Sequence, residues 1–150
     1  MGLFLTGIGF VIASGRAPRE APRETVPDLQ PVATIKQVMN GITMPNAQRI
    51  YGAVATISSL EGIKEIAPQT DEDWSALADS ATALIESGNL LLMGSRAVDT
   101  GDWVAMTRSM MDAGRKALAA AEAKSVDGTS TAAGDINVTC DNCHAKYQRQ

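Results

Sequence analysis

Residues 133–147 read AGDINVTCDNCHAKY, with Ala133, Ile136, Cys140, Cys143 and Tyr147 spaced three, four, three and four apart. That is the spacing of one face of an α-helix. The stretch is predicted to be a terminal helix whose two cysteines continue its apolar stripe and face the interior of the domain.

The same rhythm runs back along the chain. Trp103, Met106, Met110, Ala113 or Gly114, Ala117 and Ala121 form a second stripe after Asp99-Thr100-Gly101-Asp102, and Asp127-Gly128-Thr129 is read as the turn that follows. Trp74, Leu77, Ala81, Leu84, Ile85, Gly88 and Leu91 form a third. Thr70 or Asp71 can cap that helix, Glu72 and Asp73 complement the positive end of its dipole, and Gly94 breaks the pattern. A further amphipathic stretch carries Val32, Ile35, Val38 or Met39, and Ile42. Pro45 interrupts it, since a proline inside a helix costs about 3 kcal/mol, and residues 46–60 resume with Ile50, Val54 and Ile57, giving one broken helix or two short ones. Ala67-Pro68-Gln69 marks a loop. No run of alternating β-branched residues is read here. The expectation is an all-α fold, an antiparallel four-helix bundle with short connections. The Trp and Met stripes are read first as core.

Composition narrows the functions. Seventeen acidic residues against thirteen basic ones give a formal charge of −4, with no basic run to neutralise a phosphate backbone, so nucleic acid is not an expected partner. The chain has two cysteines, Cys140 and Cys143, and one histidine, His144. Any site built from thiol or imidazole ligands therefore lies in five consecutive residues.

Cys140-Asp141-Asn142-Cys143-His144 is a C-x-x-C-H sequence, the attachment pattern of c-type haem. On a helix the spacing puts two thiols on one face about one turn apart, within reach of two vinyl groups of one porphyrin. His144, four residues after Cys140, can point its imidazole at the iron as proximal ligand. Three other readings stand beside it. A thioredoxin-like dithiol would want a preceding strand. A zinc site would need a fourth ligand, here a carboxylate. A disulfide would leave the histidine unexplained. With His144 on iron no general base remains, and Asp71 and Asp73 are better read as dipole-complementing residues, so no enzyme is indicated.

A haem motif in the last helix of such a bundle, with Gly134-Asp135-Ile136 before it and Tyr147 after it, resembles the class II c-type cytochromes, cytochrome c′ and its low-spin relatives. The likeness runs over 31–150, although Gln148 stands where that family often has a basic residue, between Tyr147 and Arg149. The resemblance implies one covalent haem c held by Cys140, Cys143, His144 and Tyr147, with the first helix crossing the distal side of the iron. Met39 is the leading distal ligand and Met44 the second candidate. A thioether there implies electron transfer with redox partner proteins, soluble or membrane-bound. An apolar side chain there implies a five-coordinate iron open to NO or CO, as in cytochrome c′. A third alternative is a haem subunit of a larger membrane complex, tethered by a retained apolar N-terminus, and the resemblance makes a homodimer paired through the first two helices compatible with the chain. It also implies a bacterial periplasmic location, because thioethers form on the outer side of the cytoplasmic membrane.

The N-terminus is read in the same sense. Residues 3–13 (LFLTGIGFVIA) form an apolar run of eleven, short of the roughly 20 needed to span a bilayer, with small residues following at Ser14 and Gly15. Residues 1–17 are expected to be a signal peptide or an N-terminal anchor, although no Lys or Arg precedes the run. Residues 18–30 form a Pro-rich linker.

Overall fold

The computed structural model describes residues 29–148. The expected signal peptide and most of the linker lie outside them. The order is α1 (Ile35–Val38), a π-turn (Met39–Thr43), α2 (Met44–Ala53), strands β1 (Ala55–Ser59) and β2 (Gly62–Ile66), then α3 (Asp71–Leu92), α4 (Asp102–Glu122) and α5 (Val126–Tyr147). α1, the π-turn and α2 run on as one helix, so the described residues are mostly helical, with four helices and one small hairpin. Among the described residues no helix is long and apolar enough to cross a membrane.

Each long helix starts where a side chain can serve its free amides. Thr70 accepts from the Asp73 amide and Asp73 returns the bond to Thr70, a reciprocal cap on α3. Thr34 and Gln37 do the same for α1. Asp99 Oδ1 accepts from the amides of Gly101 and Trp103 and so organises the start of α4. Ser125 caps α5 through the Gly128 amide. Residues 127–129, read from sequence as a turn, are therefore already the first turn of a helix. Gly94 ends the third helix region at φ +54, a left-handed conformation that glycine adopts without a Cβ penalty.

α3 packs along α4, α4 along α5, and α2 lies across α3 and α5. The core between them holds Ile50, Leu84 and Ile136, all fully buried, with Trp74, Trp103 and the alanines of α4 and α5 around them. Burying such side chains contributes roughly 2 kcal/mol each.

Three expectations fail in the first half of the chain. Residues 55–66 are not helical; they form an antiparallel hairpin with Ser59 opposite Gly62. Ile57 fits a helical spacing after Ile50 and Val54, but it lies on an exposed strand, and Leu60 and Ile63 are exposed as well. Gly62 at φ +126 makes the reversal possible. Pro45 does not break the helix either. The π-turn before it closes through the Met44 amide and the Met39 carbonyl, and Pro45 sits in the first turn of α2. The wider turn takes up one extra residue. It thereby shifts the buried face from Ile42, which is exposed, to Thr43, which is 3% exposed. Val32, expected in that stripe, is exposed in the segment before α1.

Candidate functional site

One open cleft, about 680 Å³ counting its mouth, brings together five of the six residues singled out from the sequence: Met39, Met44, Cys140, Cys143 and His144. α5 supplies Cys140, Cys143 and His144 on one wall, with Asn137, Thr139 and Asp141 at its edge. The π-turn and α2 supply Met39, Thr43, Met44, Ala47 and Tyr51. α4 adds Met106, Thr107 and Met110, and α3 adds Leu91. The thiols and the imidazole thus share a single cavity with four thioethers from other elements.

Cys140 and Cys143 are half-buried free thiols. The hydroxyl of Tyr51 donates toward Cys140 Sγ at 4.0 Å, a long contact to a weak acceptor. Burial, and secondarily Cys140, holds the Tyr51 hydroxyl far above the usual phenol range. Burial also pushes both thiols up, with Asp141 adding to the effect at Cys140 and Cys140 itself adding to it at Cys143. Dithiol oxidoreductases place their cysteines at helix N-termini, where the thiolate is favoured. Here the pair sits near the C-terminal end of a long helix and the thiol form is favoured. Among the described residues no three His, Cys, Asp or Glu side chains gather as a metal-ion cluster.

This donor set fits a flat, largely apolar group held at its edge. Cys140 and Cys143 can form two covalent tethers one helical turn apart, and His144, on the same helix, can ligate a metal carried by that group. Met39 and Met44 lie across the cleft in a helix that packs on α5. Both methionines expected from sequence are therefore cleft residues: Met39 is half-buried and packs against the core, and Met44 is more exposed.

Tyr147 lies outside the cleft lining. Its ring meets Trp103 edge-on, with centroids 5.1 Å apart at 83°, and its hydroxyl bonds Asp99. Tyr51, Met106 and Met110 are cleft residues that the sequence reading did not single out as such. Met106 and Met110 belong to the α4 stripe, whose periodicity alone points to the core. Tyr51 follows Ala47 by four residues, a weak signal beside the fully buried Ile50.

No family model, curated protein or solved structure matches this chain.

Proposed function

We propose that the chain is a monohaem c-type cytochrome of the class II type, a four-helix bundle carrying haem c on its last helix. Cys140 and Cys143 form the thioethers, His144 is the proximal ligand, and Met39 is the distal one. When bound, the group supplies one-electron exchange at iron. The observation that carries the reading is that Cys140, Cys143 and His144 line one cleft with Met39 and Met44, which come from a different helix. The apolar side chains of the cleft, Met39, Ala47, Leu91 and Met110 among them, would pack against the group, and no acid, base or nucleophile would be required of them. Periplasmic electron transfer with partner redox proteins follows, and a homodimer is compatible with it.

A specific observation also favours a second reading. Met39 packs against the core, which fits a filler residue as well as a ligand. The iron would then be five-coordinate and open to NO or CO.

Optical spectra of the matured protein in both redox states test the proposal. Electron transfer through Met39 predicts a low-spin ferric spectrum with a near-infrared sulfur-to-iron band that Met39→Ala abolishes. A high-spin ferric protein that binds CO rapidly on reduction supports the second reading and overturns the first. A purified, exported chain without covalent haem overturns both.

A further inference from the structure

The π-turn between α1 and α2 lies in the wall of the cleft. Met39 and Met44 are five residues apart, and five steps of about 100° on an ordinary α-helix would leave them about 140° apart in direction. Both nevertheless line the cleft. They do so because the Met44 amide closes onto the Met39 carbonyl, which stacks residues five apart one above the other.

Thr43 is the buried residue of this turn, and its side chain is hydrogen-bonded to another helix. It is buried, lines the cleft, and donates its hydroxyl to Ser87 Oγ on α3 at 3.1 Å. Ser87 is itself fixed by donating to the Leu84 carbonyl at 2.7 Å. Downstream, α2 is anchored by the buried Ala47 and Ile50. Upstream, α1 has only four residues and one buried side chain, Val38. If the turn relaxed to α geometry, α1 would rotate against α2 by about 100°, and Met39 would leave the cleft with it.

We propose that Thr43 is a positioning residue for the sixth haem ligand: its buried bond to Ser87 holds the π-turn in which Met39 faces the cleft. The inference rests on the haem reading above. It also assigns a purpose to the extra residue in the turn. A π-turn uses one residue more than an α-turn, so the flanking segments keep the register of an α-helix one residue shorter. Gly41 is the residue to remove. It is exposed, and no atom lies within 4 Å of where its Cβ would stand.

The test uses the full matured chain and reads the near-infrared sulfur-to-iron band, the ferric spin state and the mass of attached haem. Thr43→Val removes the hydroxyl at constant shape. It is expected to keep haem at wild-type stoichiometry, lose the band and turn high-spin. Ser87→Ala, which removes the same bond from the other side, acts alike, and Thr43→Ser retains the band. Deleting Gly41 in the Thr43→Val background restores it, because the α-register then brings Met39 back. A role confined to stability would lower the melting temperature of Thr43→Val and leave the band in place, which overturns the proposal. Loss of the band without recovery on Gly41 deletion overturns it equally. A wild-type protein with haem but without the band overturns Met39 ligation, and this inference with it. A wild-type chain without haem overturns the cytochrome reading as a whole.

Discussion

The hydroxyl of Tyr147 donates to Asp99 Oδ2 at 2.5 Å, tying the last turn of the cysteine-bearing helix to the residue that organises the start of α4. Lys146 pairs with Asp102 beside it and lies over the Tyr147 ring, 5.4 Å from its centroid. The tie fixes the C-terminal end of α5 just past His144. Tyr147 therefore acts on the site by holding the helix that carries the imidazole, from outside the cleft.

Loss of this tie has a pH signature. The Tyr147 hydroxyl, followed by the Trp103 amide, holds the Asp99 carboxyl below its usual range. A carboxyl lowered in the folded state adds stability above its ordinary pKa and loses it as pH falls through the lowered one. Tyr147→Phe is thus expected to melt below wild type at neutral pH, with a difference that narrows on strong acidification. Melting curves over that range check it, and a constant difference at all pH values would refute the coupling.

Gly114 on α4 is predicted to be intolerant of a methyl group. A Cβ there would stand 2.8 Å from Cγ1 of Ile85 on α3, and a β-branched side chain has little freedom to swing away. Gly114→Ala is expected to destabilise by about 1–3 kcal/mol, the usual cost of overpacking, despite alanine's better helix propensity. Denaturant unfolding measures it. A stabilised variant would show that α3 and α4 can separate at no cost.

The parts of the fold that were legible in the sequence are those whose burial is periodic. Trp74, Leu77, Ala81, Leu84 and Leu91 are buried along α3, and Trp103, Met110, Ala117 and Ala121 along α4. The hairpin was not legible. Its strands are exposed on both faces, so selection for burial left no alternation to read, and Ile57 fell by chance on a helical spacing. Val54-Ala55-Thr56-Ile57 followed by Glu61-Gly62 was the signal available. The π-turn was hidden for another reason: it exchanges Ile42 for Thr43 on the buried face, and periodicity rules assume one register throughout. At the site, the cysteines and histidine were legible because they are contiguous. Tyr51, Met106 and Met110 join them only through packing between helices, which a single sequence does not display.

Lys124 offers a stabilising substitution. It stands two residues past the end of α4 at φ 51, the left-handed region, where a residue other than glycine costs about 1–2 kcal/mol. Its ion pair with Asp71 is exposed and worth little. Lys124→Gly is expected to raise stability by about 1 kcal/mol, seen as a higher melting temperature. An unchanged or lower value would mean that the ion pair or the loop's own entropy outweighs the relieved strain.

The most consequential single side chain outside the cleft is predicted to be Arg96. It is 7% exposed, and Nε donates to the Ala33 carbonyl at 2.8 Å while an η nitrogen donates to the Leu90 carbonyl at 3.1 Å. One guanidinium thus closes the end of α3 and clamps the residue before the Thr34 cap of α1. Arg96→Met keeps the length and removes both donors, leaving two carbonyls without these partners at about 1–3 kcal/mol each. The expected result is a loss of about 2–4 kcal/mol in unfolding free energy, since some of the penalty is relieved by water. Faster amide exchange should be concentrated in residues 35–39, because α1 has little else to hold it. That segment carries Met39, so if the haem proposal holds, the same variant should weaken the sulfur-to-iron band before the protein as a whole unfolds. Uniformly faster exchange across all the helices would instead show that Arg96 stabilises the whole fold and has no special hold on α1.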